Sequence, residues 1–503
     1  MPKSSTPSFI MERRIYLEPY QYDKLEKYMR SCNKIYNTAV KHYNSVIKKL
    51  RSEARYMETL AMFRNSGNEE KSKALAKEIF AIAEEYGLTE YGIHQYMGYN
   101  KAKAFKNSIN IDVVQKLGTE LYQSIKKALF SDTEIHYRKK GQTNSFEGKK
   151  ANNAIIYNEE TDTIKIFGDK YKLKPIRKTD TLLLNSMACR IKYCRIVRKP
   201  FKNKYKYFVQ FVFEGKPLKE TKHLKGKCGL DIGTSTVAYY NKKEANFFVL
   251  ADGVERYEKA IKRAATKYER RLRLANPDCF NENGTLKKGT KLKKRTKGSQ
   301  RALMELKNAY RLKSTFIKNS HNYLASLIAS QCDTLVLEPM NFKALARKAK
   351  ETSRQDKLTA IKNKDGITKL VQKFKRKKRF GKSIGRRAPG QFIATLKNKV
   401  LQNGGTIIEV DGAKYKASQY NHATKKATKP TLSCRVKEID GQLVQRDLYS
   451  SYLLYNIQDK STINFNKCKR NFNKYIEKQS KVIDKIKNEG DKTKNFGLST
   501  FVA

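Results

Sequence analysis

The chain has few acidic side chains for its 503 residues, no tryptophan and only six histidines. Lysine and arginine number 107 against 48 aspartates and glutamates, so the formal net charge is +59 at pH 7. A folded protein with this charge repels itself unless a polyanion neutralises it, and the excess runs through nearly the whole chain. The charge therefore predicts a nucleic acid as a structural partner. On charge alone, a protein that only coats nucleic acid stays open as an alternative.

The eight cysteines show no Cys-x-x-Cys spacing, and no apolar run is long enough to cross a membrane. Scattered cysteines argue against a zinc knuckle and a disulfide framework, and they suit a reducing compartment. The first residues lack the apolar core of a signal peptide. We therefore expect a soluble, cytoplasmic protein with no membrane partner. Its length suggests about three or four domains.

The first part of the chain alternates a strand, helices and more strands. Residues 8–17 predict a strand, and apolar residues at three- and four-residue steps predict helices over 22–85, with a break at 65–68. A further helix is expected over 111–130. Apolar or alternating runs then predict strands at 154–157, 163–167, 181–184, 189–197 and 205–213. Such closely spaced strands indicate a small barrel, with the helical segment as an insertion.

The second part alternates strands with helices, which predicts an α/β domain. Its expected elements are a strand at 247–251, a long basic helical stretch from Tyr257, a helix at 392–401 and a strand near 404–411. An amphipathic helix is expected near residues 464–487. We expect this last helix to pack on the α/β domain.

Three acidic residues, Asp231, Glu338 and Asp447, each stand where an apolar run meets a turn or a helix. Because strand ends aim carboxylates at fixed points, two strand ends and one helix start can converge on one site. Two divalent ions roughly 3.5–4 Å apart in such a site activate a water and stabilise the departing oxygen. Mg²⁺ and Mn²⁺ favour this all-oxygen setting, and none of the histidines needs a role. The pattern predicts a nuclease.

Each acid also has a simpler interpretation. Glu338-Pro339 is compatible with an ordinary strand end, and Asp447 with a helix N-cap. Asp231 begins Asp-Ile-Gly-Thr, which is also typical of the phosphate loop of actin-like and sugar-kinase ATPases. That alternative needs a second phosphate loop, and neither Asp411-Gly nor Asp440-Gly has the right setting. The combined pattern favours the nuclease.

The three acids and their neighbours resemble, in this order, the three split RuvC motifs of the TnpB family. The matching segments are Gly-Leu-Asp231-Ile-Gly-Thr, Leu-Val-Leu-Glu338-Pro and Arg-Asp447-Leu-Tyr-Ser-Ser. This family comprises insertion-sequence RNA-guided nucleases and is ancestral to compact type V CRISPR effectors. The helices at 32–39 and 113–130 and the basic stretch 291–319 also resemble the family, so the likeness covers nearly the whole chain. It implies that the three acids are catalytic and bind two Mg²⁺ or Mn²⁺ ions.

The resemblance implies a multidomain α+β protein in which a helical recognition lobe is inserted in a small wedge β-barrel, followed by an RNase H-like (RuvC) α/β nuclease domain. The implied divisions are the first barrel strand (1–20), the recognition lobe (21–135), the barrel (136–215), a linker (216–227), the nuclease domain with motifs I and II (228–410), a lid (411–446), motif III (447–460) and a C-terminal helix and tail (461–503). The implied partners are guide RNA and target DNA, the latter as heteroduplex and displaced strand. The guide's origin, from a transposon end or a CRISPR array, and the oligomeric state stay open.

The lid departs from the family, whose members commonly carry a four-cysteine zinc knuckle there. Only His422 and Cys434 offer ligands in this window, and a structural zinc site needs four. We therefore expect no structural zinc. We expect a small lid near the site, with Ser418, Gln419, Tyr420 or Asn421 contacting nucleic acid; a solvated loop is the alternative. The third motif also differs, because Asp447-Leu-Tyr-Ser-Ser replaces the common Asp-x-Asn-Ala-Ala.

Further candidates for nucleic-acid contact are Tyr36, Asn37 and Arg446. Tyr36 lies on the periodic face of a helix, and aromatic residues at this spacing usually belong to the core, which is the favoured interpretation for its ring. Together with the three-acid pattern, the resemblance implies an RNA-guided, Mg²⁺-dependent DNA endonuclease. The alternatives are a guide-RNA-dependent DNA-binding protein without cleavage and a guide-independent DNA transposase.

Overall fold

The structure is a computed structural model of the full chain. It describes residues 6–105, 109–139, 141–150, 153–217, 226–290, 292, 295–346, 354–362, 368–374, 381–412, 414–415, 417–428, 435–488 and 498. The chain divides into two compact units, Met1–Lys219 and Glu220–Ala503. Among the described residues, no helix combines the length and apolar character that a membrane crossing requires. The finer domain boundaries given above stay predictions.

The helices of the first unit are α1 (Pro19–Leu50), α2 (Ala54–Asn65), α3 (Glu69–Glu85), α4 (Glu90–Ala104), α5 (Ile111–Ala128) and α6 (Thr181–Met187). Side chains cap several of their starts. Asn68, Thr89 and Asn110 accept hydrogen bonds from backbone N–H groups in the first turns of α3, α4 and α5. These caps satisfy donors that a helix start leaves unpaired, and so they fix where each helix begins.

The strands of the first unit are β1 (Ser8–Arg14), β2 (Ser145–Glu147), β3 (Ile155–Asn158), β4 (Thr163–Ile166), β5 (Asp169–Lys172), β6 (Ile191–Phe201) and β7 (Lys204–Glu214). They form an antiparallel four-stranded sheet, β1-β7-β6-β2, and an antiparallel three-stranded sheet, β3-β4-β5. A bridge between Ile15 and Leu173 links the two sheets. The closed wedge barrel stays a prediction.

One predicted strand of this unit is wrong. Residues 181–184 begin the helix α6, because the Asp180 side chain caps the segment by accepting a hydrogen bond from the Leu183 N–H. Three successive leucines fit a strand and a helix turn equally well, so the capping residue decides. The predicted break at 65–68 is confirmed between α2 and α3, whereas α4, β2 and β5 were not predicted.

The elements of the second unit are β8 (Lys227–Ile232), β9 (Thr236–Asn241), β10 (Ala245–Val249), α7 (Glu255–Ala275), α8 (Lys297–Gln331), β11 (Thr334–Leu337), α9 (Phe342–Ala346), β12 (Arg354–Lys362), β13 (Thr368–Phe374), α10 (Gly381–Arg387), α11 (Pro389–Gln402), β14 (Thr406–Glu409), β15 (Val436–Ile439), β16 (Gln442–Gln445), α12 (Arg446–Tyr455) and α13 (Phe465–Asn488). The predicted α/β alternation is confirmed. β9 and the β12–β13 hairpin were not predicted.

The main sheet of this unit has the order β10-β9-β8-β11-β14. β10, β9 and β8 are antiparallel to one another, whereas β8, β11 and β14 are parallel to one another. Because β8 and β11 are adjacent and parallel, their carboxyl ends lie at the same edge of the sheet. Asp231 is the second-last residue of β8, and Glu338 directly follows β11.

Helices cover both faces of this sheet. Leu230 and Leu337 belong to a core that includes residues of α8 and α11. Ala238 and Val336 belong to a core shared with α12 and α13. A sheet covered on both faces has apolar residues on both faces, which explains the short uninterrupted apolar runs at these strands. The predicted packing of the C-terminal helix on the α/β unit is confirmed.

Two cysteines that are far apart in the sequence lie close together in the fold, although both are free thiols. The Sγ atoms of Cys228 and Cys332 lie 2.6 Å apart, and both residues are buried. Cys228 is in β8, and Cys332 follows α8 and precedes β11. The pairing of β8 with β11 therefore brings together residues that are 104 positions apart. Sequence spacing gave no indication of this contact.

Candidate active site

Asp231 lies on the sheet face covered by α12. Side chains alternate along a strand, and Leu230 and Ile232 point into the core on the α8 and α11 side. Asp231 and Gly229 therefore face α12. A Cβ atom on Gly229 would overlap the Ser451 carbonyl oxygen and lie 2.5 Å from the backbone nitrogen of Tyr455. Glycine at this position thus lets α12 pack directly on β8, beside the first acid.

Glu338 lies on the same face of the neighbouring strand. Leu337 belongs to the core on the α8 side, and Val336 to the core on the α12 side. By the two-residue period of a strand, Glu338 follows Val336 onto the α12 side. Leu337 pairs with Leu230 in the register of the sheet, so Glu338 comes one position beyond that pair, as Asp231 does. The sheet brings these two acids together.

Asp447 is the second residue of α12, and two arginines hold its carboxylate. An Nη1 of Arg435 lies 2.9 Å from one carboxylate oxygen, and Nε of Arg446 lies 3.1 Å from the other. The Asp447 side chain is 19% exposed and that of Arg435 is 42% exposed. The Gln445 side chain caps the helix by accepting hydrogen bonds from the backbone N–H groups of Asp447 and Leu448.

The negative charges of Glu338 and Asp447 act on the carboxyl group of Asp231. Burial is the main reason that the pKa of Asp231 rises from 3.8 to about 8, and the negative charges of Asp447 and Glu338 raise it further. The Arg446 charge and a hydrogen bond with Ser450 lower this pKa without cancelling the rise. Burial also raises the pKa of Glu338 to about 7. A raised carboxyl pKa means that the site favours a bound proton or another cation.

The donor set suits a divalent cation, since three carboxylates provide the oxygen ligands that Mg²⁺ and Mn²⁺ prefer. The arrangement is not a closed set of ligands: within the described ranges, no group of three or more His, Cys, Asp or Glu side chains is arranged to hold a metal ion. In this structure both oxygens of Asp447 contact arginines. The fit is therefore one of donor chemistry and charge.

The described part of the lid is compact and lies against α12 and α13. Tyr420 bridges Ala427, and Gln419 O accepts a hydrogen bond from Thr428 N. The Lys437 ammonium donates to the Ser418 carbonyl oxygen. The Asn421 side chain accepts hydrogen bonds from two backbone N–H groups that follow it. Ser418, Gln419 and Asn421 are half-buried, and their contact with nucleic acid stays a prediction.

His422 anchors this lid. Its ring is buried against Phe472, and its Nδ1 lies 2.7 Å from the Tyr449 hydroxyl oxygen. That oxygen also accepts a hydrogen bond from the His422 backbone N–H. We therefore assign the hydroxyl proton to the contact with Nδ1, which makes Nδ1 the acceptor and leaves the ring proton on Nε2. Burial lowers the pKa of His422, which favours this neutral ring. Cys434, the other candidate zinc ligand, lies outside the described residues.

Tyr36 and Asn37 lie in the first unit. Tyr36 is 5% exposed, and the Arg138 guanidinium lies 3.6 Å from its ring centroid. The Asn37 side chain accepts a hydrogen bond from Arg138 N and donates one to Arg138 O. The ring thus has the core position that its helical spacing favours. Arg446, the last candidate, contacts Asp447. Roles of the three in nucleic-acid binding stay predictions.

Sequence reasoning missed Gly229, Arg435 and Gln445. A glycine inside an apolar strand, two residues before a candidate acid, is a signal for close backbone approach. Arg435 has no such signal, because the turn between β15 and β16 brings it to Asp447. Gln445 was missed because glutamine is not among the preferred N-cap residues.

A strongly basic surface lies along the helix α7. Its side chains Lys262, Arg263 and Arg270 are exposed. Together with Thr266, Lys267, Arg271 and Leu274 they line one open groove along the helix. Positive charge at this spacing suits a row of phosphates.

Comparison with known proteins gives distant likenesses in structure. No family model and no curated protein matches the chain. A Cas12f1–sgRNA–target DNA complex is 11% identical with a TM-score of 0.38, over 88% of this chain and 84% of that chain. A CRISPR–Cas12f ternary complex is 12% identical with a TM-score of 0.25, over 90% and 100% of the two chains. A Cas12i–crRNA–double-stranded DNA complex is 10% identical with a TM-score of 0.27, over 92% and 64%. Function is therefore inferred from the site itself.

Proposed function

We propose that the chain is an RNA-guided DNA endonuclease of the TnpB-like, compact type V class, with a RuvC-type site formed by Asp231, Glu338 and Asp447. One observation carries the proposal: Asp231 and Glu338 lie at the same edge of the sheet, at the ends of the adjacent parallel strands β8 and β11, and the helix α12, which packs on β8, begins with Arg446 and Asp447. Beyond the effect of burial, the charges of Asp447 and Glu338 accordingly raise the pKa of Asp231. Three acids from distant positions converge in a chain with a net charge of +59. Such convergence of acids is typical of a functional site.

The sheet supports this assignment. The first acid is in the central strand β8, the second follows the adjacent parallel strand β11, and the third begins a helix packed on both β8 and β9. This arrangement is compatible with the proposed RNase H-like nuclease domain. The helical segment and the strands of the first unit would then be the recognition lobe and the wedge domain.

The three carboxylates would hold Mg²⁺ or Mn²⁺, two ions per site. When bound, the ions activate a water as nucleophile and stabilise the leaving oxygen of the phosphodiester. Asp231 and Glu338 contribute rigidity, because strand ends in a packed sheet keep their carboxylates in place. Asp447 would exchange at least its Arg435 contact for the cation, and the half-exposed guanidinium is then free to pair with a phosphate. No zinc is needed for this chemistry.

The proposed partners are a guide RNA and target DNA. Base pairing would select the target, and the protein would bind backbone phosphates and a short motif beside the target. The exposed basic residues of α7 and the overall charge support binding to a polyanion of considerable length.

A second candidate function is guide-dependent DNA binding without cleavage. The observation that favours it is the engagement of both Asp447 carboxylate oxygens by Arg435 and Arg446. If these contacts persist on the nucleic acid, the third acid is unable to bind metal. The two candidates differ in one measurable property, which is cutting of a bound target.

The experiment begins with the native complex. The protein is purified without nuclease treatment, and bound RNA is extracted and sequenced. We expect one discrete, structured RNA, and we expect RNase treatment to abolish binding to a matching DNA. Absence of a discrete RNA, or DNA binding that survives RNase, would reject the guided function and favour a guide-independent protein.

A further inference from the structure

We propose that Gln479, on the C-terminal helix α13, is a positioning residue for Asp447 and acts through Gln445. The inference rests on the proposed function, in which Asp447 is a metal ligand. It gives α13 a role beyond packing: the helix sets the place of an acid that lies more than thirty residues earlier in the chain. Gln479 itself touches neither metal nor substrate.

The start of α12 depends on an unusual cap. Gln445 is completely buried, and its side-chain oxygen lies 2.7 Å from Asp447 N and 2.8 Å from Leu448 N. Capping residues are usually short, because Ser, Thr, Asp and Asn reach the first turn with few rotatable bonds. The longer glutamine side chain has to be held in place for the same task. The position of the Asp447 backbone therefore depends on the position of the Gln445 side chain.

Gln479 holds the backbone at Gln445 in place. It is 2% exposed, and its side-chain oxygen accepts a hydrogen bond of 2.8 Å from Gln445 N. Its side-chain nitrogen donates to Leu443 O at 2.9 Å. Leu443 and Gln445 are alternate residues of β16, so one amide group binds the strand through an acceptor and a donor, as a neighbouring strand would.

Tyr475 fixes Gln479 in turn. Its hydroxyl donates to the Gln479 side-chain oxygen at 2.8 Å, from one helical turn earlier on α13, and Tyr475 is fully buried. The sequence of contacts is Tyr475 to Gln479, Gln479 to Gln445, and Gln445 to the Asp447 backbone. Each link is a hydrogen bond in the interior, where an unpaired polar group is costly.

Loss of the Gln479 amide leaves Gln445 N and Leu443 O without this partner. The end of β16 and the first turn of α12 then have to move to find water or another partner. Asp447 is two residues beyond Gln445, so its carboxylate moves as well. Metal affinity is sensitive to such displacements, and outer contacts of metal ligands are typically worth roughly 10- to 100-fold in affinity.

The test compares Gln479→Leu with Val482→Ala in the full-length protein. Leucine keeps most of the side-chain volume and removes the amide, whereas Val482 is a buried residue of the same helix that belongs to the apolar core. Both variants should lower the melting temperature in EDTA. The metal readout is Mn²⁺ binding followed by calorimetry and by the Mn²⁺ dependence of the melting temperature, neither of which requires a guide or cleavage.

We expect Gln479→Leu to raise the Mn²⁺ concentration at half-saturation by about 10-fold, and Val482→Ala to leave it within about two-fold. Tyr475→Phe removes one of the two donors to the Gln479 oxygen and should weaken Mn²⁺ binding by a smaller factor. If Gln479→Leu does not fold, Tyr475→Phe against Val482→Ala provides the same comparison.

Equal half-saturation in Gln479→Leu and Val482→Ala would overturn the proposal, because α13 would then act through stability alone. Mn²⁺ binding that follows the expected pattern, in a protein that cuts no DNA, would reject the proposed nuclease and leave the positioning role in place. Failure of the wild-type protein to bind Mn²⁺ would reject both.

Discussion

Gly229 and Ser451 are in contact through their backbones: any Cβ atom on Gly229 would overlap the carbonyl oxygen of Ser451. This contact fixes the distance between β8 and α12. Asp231 lies two residues beyond Gly229 on the same face of β8, and Asp447 lies one turn before Ser451 on α12. The meeting of the first and third acids therefore depends on a residue with no side chain.

Gly229→Ala should destabilise the second unit by about 3 kcal/mol, since a methyl group here meets backbone that cannot turn aside. Gly385→Ala is the matched control, because that glycine is in the helix α10 and a Cβ there has no neighbour within 4 Å. The control should be neutral or stabilising by about 1 kcal/mol or less. Denaturant unfolding measures both, and similar midpoints for the two variants would contradict the close packing.

The site should make stability depend on pH when no metal is present. The pKa of Asp231 rises to about 8 and that of Glu338 to about 7, so the folded protein holds these protons more tightly than the unfolded chain does. Stability from these groups is complete below about pH 4 and is lost as the pH rises through 7 to 8. In EDTA, the melting temperature of the wild type should therefore fall over this range.

Asp231→Asn provides the comparison for that pH dependence, because asparagine keeps the shape without the charge. At pH 8 in EDTA it should melt at a higher temperature than the wild type, and at pH 4 the two should be similar. Mg²⁺ should stabilise the wild type at pH 8 and stabilise the variant much less. Identical pH profiles would show that Asp231 is not a buried, repelled carboxyl.

Arg435→Ala should strengthen Mn²⁺ binding. The guanidinium lies 2.9 Å from an Asp447 oxygen and competes with a cation for it. A half-exposed ion pair of this kind is worth up to about 1 kcal/mol, which corresponds to a gain of up to roughly five-fold in affinity. Arg273→Ala removes the exposed pair with Glu269 in the same unit and should leave the affinity unchanged. Unchanged or weaker binding by Arg435→Ala in calorimetry would show that the two do not compete.

His422 should hold the lid through one acceptor atom. Asparagine places an oxygen near the position of Nδ1, so His422→Asn keeps an acceptor for the Tyr449 hydroxyl. His422→Phe keeps the ring against Phe472 and leaves a buried hydroxyl proton unpaired, which costs about 1–3 kcal/mol. Limited proteolysis should cut the phenylalanine variant within the lid faster than the asparagine variant. The reverse order would indicate that ring packing, and not the hydrogen bond, retains the lid.

Those parts of the site that depend on a local sequence pattern could be predicted from the sequence. Asp231 and Glu338 are recognisable because each ends or follows a short apolar run, and the structure places both at the same edge of one sheet. The leucines at 182–184 were misassigned because their period is ambiguous and the Asp180 cap decides. Three features could not be predicted, because each depends on elements that come into contact only in the folded chain. They are the contact of Arg435 with Asp447, that of Gln479 with Gln445 and that of Cys228 with Cys332.

The most direct test of the nuclease is cleavage by the purified complex of a supercoiled DNA that matches its own bound RNA. Wild type is compared with Asp231→Asn and with Asp278→Asn, an exposed acid of the same unit, each in Mg²⁺ and in EDTA. We predict that wild type and Asp278→Asn cut the matching DNA in Mg²⁺ only, while Asp231→Asn binds it and leaves it intact. Cleavage by Asp231→Asn, or cleavage by the wild type in EDTA, would contradict the three-carboxylate metal site.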